Sequence, residues 1–292
     1  MRTAMPARFL VLLAMAAAAV TAQTAYQKEI AQWRAQREAK LKADDGWLTV
    51  VGLHWLHEGV NTVGSDPKAD APLPASLPAR IGTITLTNGK THFKPVGGVQ
   101  LKDTGIRLKE MDLKTDITPD YDRLALGRVK FFVIERENRF GVRVKDNDSE
   151  ARKKFTGLRW YAVDPSWKIK ATFIPSPHEV TFDTEIGVKE KDQSPGYVTF
   201  TRGGQEYKME PVKEDDDLWF VFRDQTSGKT TYAASRFLYT PFPKDGFVEM
   251  DFNKAENPPC VFTDYATCPL PSPQNRLALA VTAGEQMYRR PQ

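Results

Sequence analysis

Arg143, Arg159, Arg223, Arg236 and Arg276 interrupt otherwise apolar strand patterns or a proline-rich loop in this chain. Arginine is seldom buried without a partner, so guanidinium groups in such places need an explanation. Asp146, Asp224 and Asp251 are natural counter-charges. One chemistry they could supply is a polar pocket at one end of a β-fold, where arginine forks take a carboxylate, phosphate or sugar acid bidentately. The other is an internal salt-bridge network that fixes strand register and loop path. Both stay open at this level, and the candidate ligand-binding set is Arg143, Arg159, Arg223, Asp224, Arg236, Asp251, Asn253 and Asn257.

Cys260 and Cys268 are the two cysteines of the chain. In an exported protein such a pair reads most simply as a disulfide, and closing so short a loop would stabilise by roughly 2–3 kcal/mol on the chain-entropy model. A pair of thiols, reactive or metal-binding, is the alternative. His54, His57 and Glu58 invite a metal reading, but residues three apart in a strand point to opposite faces, so no metal site and no cofactor are assigned. Serine-type catalysis has little support, because no G-x-S-x-G is present and only four histidines exist. Carboxylates are plentiful enough for glycoside hydrolysis, which depends on a separation that sequence does not show.

The elements that must position these groups read as follows. Arg2 and Arg8 flank an apolar run over residues 9–20, and Val20-Thr21-Ala22 has the small residues of a cleavage site, so residues 1–22 read as a signal peptide cut after Ala22. The run is short for a membrane span, which needs roughly 20 apolar residues. The expectation is a periplasmic or secreted protein with no stable membrane anchor. Losing that leader, with Arg2 and Arg8, lowers the formal net charge from +4 to +2, and nothing suggests a nucleic-acid partner. Tyr26, Ile30, Trp33 and Leu41 recur at helical spacing, which predicts an amphipathic helix within residues 23–45.

From Gly46 onward helical patterns nearly vanish. A first strand is expected over 47–53, then strands over 81–87, 91–96 and 100–108 with Asn88-Gly89 and Gly97-Gly98 between them as hairpin signals. Further strands are expected over 129–134 and 140–144 around Asn138-Arg139, then over 167–174, 179–186, 196–202, 218–224 and 230–239. The fold class is mainly β, an antiparallel sandwich or barrel, with β-modules over 46–125 and 126–292. Residues 251–277 carry Pro258, Pro259, Pro269, Pro271 and Pro273 and must run as an extended loop, before a last strand within 277–288.

Several segments together resemble a known family. They are Gly52-Leu53-His54-Trp55-Leu56 with Glu58-Gly59, Asn61-Thr62 and Gly64-Ser65-Asp66; Phe155-Thr156-Gly157-Leu158-Arg159-Trp160; and Phe222-Arg223-Asp224 with Thr226-Ser227-Gly228. With them go Asp251-Phe252-Asn253-Lys254-Ala255, Asn257-Pro258-Pro259-Cys260, Ala266-Thr267-Cys268-Pro269-Leu270-Pro271 and Asn275-Arg276-Leu277. The chain is similar to the bacterial and archaeal domain-of-unknown-function family 1684, from about Trp47 to Tyr288. That resemblance implies no activity, substrate or catalytic residue. Glu256 stands where the family more often has tyrosine.

The expected function is binding of a small anionic or sugar-like ligand through an Arg/Asp/Asn pocket. The alternatives are a hydrolase acting on cell-envelope carbohydrate or ester, with Asp224 or Asp251 as acid or base, and a structural envelope protein. Whether the chain is an enzyme stays open, as does its oligomeric state.

Overall fold

The computed structural model describes residues 7–96, 99–101 and 105–291, with side chains from residue 25 onward. The leader and its cleavage site, residues 1–22, and the Gly97-Gly98 signal fall outside the residues whose side chains are described. Among the described residues no helix is long and apolar enough to cross a membrane. Helix α1 (Ala7–Lys42) includes the predicted amphipathic stretch, and Ile30 and Leu41 are buried on its inner face. The predicted strand over 47–53 starts later. Trp47–Thr49 forms a 3-10 turn held by the Thr49 hydroxyl on the Gly46 carbonyl at 2.7 Å, and strand β1 is Val50–Trp55.

The fold is a set of mostly antiparallel open sheets packed sandwich-like, and none of them closes into a barrel. One sheet pairs β2 (Gly59–Gly64), β3 (Ala71–Pro72), β4 (Gly82–Thr87), β5 (Lys90–Pro95) and a later strand, β7 (Met111–Leu113). A second joins β1 to β6 (Gln100–Leu101), β8 (Leu124–Leu126), β9 (Val129–Arg136) and β10 (Arg139–Asp146) in the order β1-β10-β9-β8-β6. The β4–β5 hairpin turns on Asn88 and Gly89 at φ 48° and 74°, as an Asn-Gly pair allows. The β9–β10 turn sits one residue earlier than expected, on Glu137 at φ 52°, because Arg136 pairs with Arg139.

These two sheets enclose one core, in which Val63, Ile84, Phe93, Phe131 and Val142 pack together. A module boundary at 125/126 would cut through it, since β1 pairs with β10 and β6 with β8. The first unit therefore extends to about Asp146. A one-turn helix, α2 (Glu150–Lys153), then leads into the second unit.

There β11 (Lys168–Asp183) merges the strands expected over 167–174 and 179–186, with a register shift at Pro175/His178. It pairs with β12 (Lys189–Arg202), which pairs with β13 (Gln205–Met209). A three-stranded sheet of β14 (Val212–Glu214), β15 (Asp217–Phe222) and β16 (Arg236–Pro241) packs on it, and β17 (Phe247–Asp251) adds to the free edge of β11. The return strand expected over 230–239 begins only at Arg236, because residues 223–235 form a turn built on Asp224 and Thr226. The core here is aromatic. Phe252 is fully buried and meets Trp167, Phe200 and Phe222 at 5.7–5.9 Å between ring centres, each such pair adding about 0.5–1.5 kcal/mol beyond area burial.

No strand is found within 277–288; that segment runs as loop tied by single bridges such as Trp160 with Glu285. Gly284 shows why a regular strand fails. Its φ is 79° and a Cβ there would lie 2.3 Å from the Ala255 carbonyl, a close approach only glycine allows. The 251–277 loop thus lies between a strand and a second loop, anchored by Phe252 and by Leu270 N–H donating to the Asp183 carbonyl at 2.7 Å.

Candidate functional site

A cavity of about 940 Å³ opens where the first unit, the second unit and the proline-rich loop meet. The first unit contributes Asp116, Arg136 and Arg143; the second contributes Glu190, Trp219 and Tyr239; the loop contributes Glu256, Thr267 and Cys268; and α1 contributes Arg37. Strand alternation explains part of this set. Arg143 pairs with Phe132 across the β9–β10 ladder, and Arg136 ends β9 beside the turn.

The two arginines of the β9–β10 pair behave differently. Arg136 is saturated: its Nη1 and Nη2 donate to the Asp116 carboxylate at 3.0 Å each, and its Nε donates to the Thr267 hydroxyl at 3.0 Å and lies 3.3 Å from Glu190. Arg143 is 4% exposed, and its Nε and Nη2 meet no hydrogen-bond partner among the described residues. No described carboxylate lies within ion-pair distance of it, and its guanidinium sits 5.3 Å from the Trp47 ring centre. Burial, and then the like charge of Arg136, push its pKa down to about 10. Trp219, on the same cavity wall, has a buried indole N–H without a partner among the described residues, while its ring stacks on Tyr239 at 6.2 Å and meets Phe237 edge-on.

On the α1 side, Arg37 serves two carboxylates at once, Glu285 Oε1 at 2.9 Å and Glu256 Oε2 at 3.2 Å, and its Nη2 donates to the Asn257 carbonyl at 2.9 Å. One guanidinium cannot neutralise both. Burial pushes the Glu256 carboxyl up to about 7, with Arg37 opposing and Glu285 reinforcing. Glu214 is shifted upward as well, by burial and then by Asp215 and Asp192, but its side chain stands open to water, which screens it.

The residues singled out by sequence scatter across the molecule. Of the candidate ligand-binding residues only Arg143 lines the cavity, where Cys268 of the expected disulfide pair joins it. Arg159 and Arg223 are exposed, as is Arg276. Arg236 and Asp224 form a fully buried ion pair at 3.0 Å, and Arg236 also donates to the carbonyls of Val281 and Ala283. That is the internal network, and it pins the 277–288 segment to β16. Asp251 and Asn253 hold the start of α1's packed face: the Tyr26 hydroxyl donates to Asp251 Oδ1 at 2.8 Å, and Asn253 Nδ2 donates to the Tyr26 oxygen at 3.0 Å. Asn257 donates its backbone N–H to Glu285 Oε2 at 2.8 Å. Arg37, Arg136, Glu256 and Trp219 were not candidates, since on sequence they read as helix surface, strand end, loop charge and core.

The expected disulfide is not formed. Cys260 and Cys268 are buried free thiols, and the loop is closed by other means: Cys260 N–H donates to Cys268 Sγ at 3.3 Å, Glu185 N–H donates to the Cys268 carbonyl at 3.1 Å, and Thr184 bridges Pro269. Glu185 is brought beside both cysteines, so that a carboxylate oxygen and the two sulfurs lie within 4.8 Å of one another, the one such grouping among the described residues that could hold a metal.

Residues 153–286 match the model of a family described as a protein of unknown function, DUF1684. The chain belongs to that family. The matched DUF1684 region runs from α2 to the Arg236-pinned segment and includes the loop with both cysteines, Glu185, Trp219, Glu256 and Glu285. Arg37, Asp116, Arg136 and Arg143 lie before it, so the cavity joins the DUF1684 region to what precedes it. The chain is also similar to an uncharacterised protein of Haloarcula marismortui solved by NMR, at 30% identity over 46% of this chain and 78% of that one, with a TM-score of 0.39. No curated protein matches this DUF1684 chain.

Proposed function

We propose that this protein binds a small anionic or sugar-like ligand in the cavity walled by Arg143, Trp219 and Tyr239. The observation that carries the reading is Arg143: a buried, uncompensated guanidinium on the wall of a 940 Å³ cavity. A buried charge is expensive without a counter-ion, and a ligand carboxylate, phosphate or sugar acid supplies one. Aromatic faces beside it give a sugar ring or other flat ligand a stacking surface, and the free Trp219 N–H is a further donor. The same reading takes the chain as exported, cut after Ala22, so that envelope carbohydrate or its acidic fragments are the accessible ligands.

The test is a titration with uronic acids, sialic acid and short sugar phosphates, read by tryptophan fluorescence and by native mass spectrometry of the freshly purified chain. A saturable response that Arg143→Met abolishes supports the proposal. An unresponsive wild type, or an Arg143→Met variant that responds equally, ends it.

Glu256 favours a second reading, a hydrolase acting on envelope carbohydrate or ester. Its carboxyl, held near pKa 7 on the same cavity wall, would be a competent general acid at neutral pH. Asp224 and Asp251 do not fit that role, being engaged inside the fold with Arg236 and Tyr26.

A further inference from the structure

We infer that Cys260, Cys268 and Glu185 form a metal site for a borderline-soft divalent cation of the zinc class. A second hollow of about 390 Å³ is lined by Glu185, Tyr232, Cys260, Asp264 and Arg290. Both sulfurs and a Glu185 carboxylate oxygen converge within 4.8 Å. The donor set is two thiolates and one carboxylate. Zinc takes such mixed sulfur and oxygen ligands, whereas calcium and magnesium want oxygen alone.

The fold places this trio by devices that do not depend on the metal. Glu185 follows the end of β11, and its N–H on the Cys268 carbonyl, with the Thr184–Pro269 bridge, holds it against the loop. Cys260 sits in a 3-10 turn (Pro259–Val261) after Pro258, and its N–H donates to Cys268 Sγ, which fixes the two sulfurs relative to each other. The Tyr232 hydroxyl donates to Glu185 Oε1 at 2.8 Å and so orients the carboxylate from outside, as groups beyond the ligands do in metal sites. Arg290 is occupied by Asp264 and by the carbonyls of Cys260 and Val261, so its charge is already spoken for.

Four-coordinate zinc holds its donors at about 2.0–2.3 Å, which puts them roughly 3.5–3.8 Å from one another. Glu185 is exposed, and its carboxylate can make up the difference by moving about an ångström. Three protein ligands would leave a fourth position for water or another ligand, the pattern of zinc sites that keep an open coordination place. The hydrogen bond with the Cys268 thiol, and then burial, raise the pKa of the Cys260 thiol, so loading must displace its proton into solvent. Cys268 also borders the large cavity, but Arg143, Trp219 and Tyr239, which carry the anion reading, are not among the metal donors, so either proposal can fail without the other.

Cobalt(II) titrated anaerobically into the full chain, with its thiols kept reduced, is the probe. The expected result is one equivalent bound, an intense near-ultraviolet thiolate-to-cobalt charge-transfer band, displacement by zinc(II), and release of protons in weak buffer. Cys268→Ser should lose that band. Tyr232→Phe, which alters no ligand, should keep the band and weaken binding by about 10–100-fold. Glu185→Gln changes an exposed side chain, so the variant folds, and it should bind more weakly than wild type. A folded wild type that shows no charge-transfer band overturns the site. So does a Glu185→Gln variant with unaltered affinity.

Discussion

Arg143 and Arg236 are both buried arginines, and they carry opposite predictions. Arg236 has Asp224 at 3.0 Å and two carbonyl acceptors, so Arg236→Met strands a buried carboxylate and should destabilise by about 3–5 kcal/mol, read as a lowered denaturation midpoint. Arg143 has no counter-ion among the described residues, so Arg143→Met removes an unpaid desolvation and should raise the melting temperature of the ligand-free protein by about 2 °C or more. Calorimetry on both variants decides. A fall in stability for Arg143→Met would mark that residue as structural too. A rise in melting temperature for Arg143→Met would be the trade of stability for a site that the proposed function requires.

At the scale of elements, docking of α1 is tied to proton uptake. Glu256 has a folded pKa near 7 against an ordinary value of 4.5, because burial and Glu285 disfavour its ionised form. A raised folded pKa means the native state holds the proton longer than the unfolded chain does. Its contribution to stability is therefore complete below about pH 4.5, declines as pH rises toward 7, and is flat above that. Urea midpoints measured from pH 4.5 to 8 should fall across that window in wild type and much less in Glu256→Gln. A slope shared by both proteins would assign the effect elsewhere.

Elements also show what could be read in advance. The β4–β5 hairpin was legible because Asn88-Gly89 is a local signal for a backbone that must turn left-handed. The pairing of β1 with β10 was not, because strands some 90 residues apart carry no local mark of their partner. Arg143 was found because an arginine inside an apolar strand breaks the pattern. Arg37 broke none: on a helix of alternating charge it looked solvated, and only the converging loop with Glu256 and Glu285 buries it. Proline placed the 251–277 loop correctly as extended, but the cysteine spacing suggested a bridge where the fold keeps two thiols and adds Glu185.

Across the whole molecule, the two units are not beads in series. Arg136 of the first holds Glu190 of the second and Thr267 of the loop, and the Thr263 hydroxyl donates to the Val50 carbonyl, so the large cavity lies along a seam that these contacts keep shut. The packed face of α1 begins at Tyr26, beyond the proposed cleavage site, so an exported chain starting at Gln23 retains every contact described for the helix. Amino-terminal sequencing of protein recovered from the periplasm or medium should begin at Gln23. An intact Met1 in that material would refute the cleavage.

Helix α1 has a further consequence, for the order of assembly. Its anchors lie at the other end of the chain: Tyr26 reaches Asp251 across 225 positions, and Arg37 reaches Glu285 across 248. Contacts of such separation form late, because the intervening polymer must first be gathered in. The helix precedes everything it binds during synthesis, yet its seat is finished only when residue 285 arrives. Until then Trp33 and Leu41 have only the cover that earlier residues such as Trp160, Leu48 and Phe155 supply.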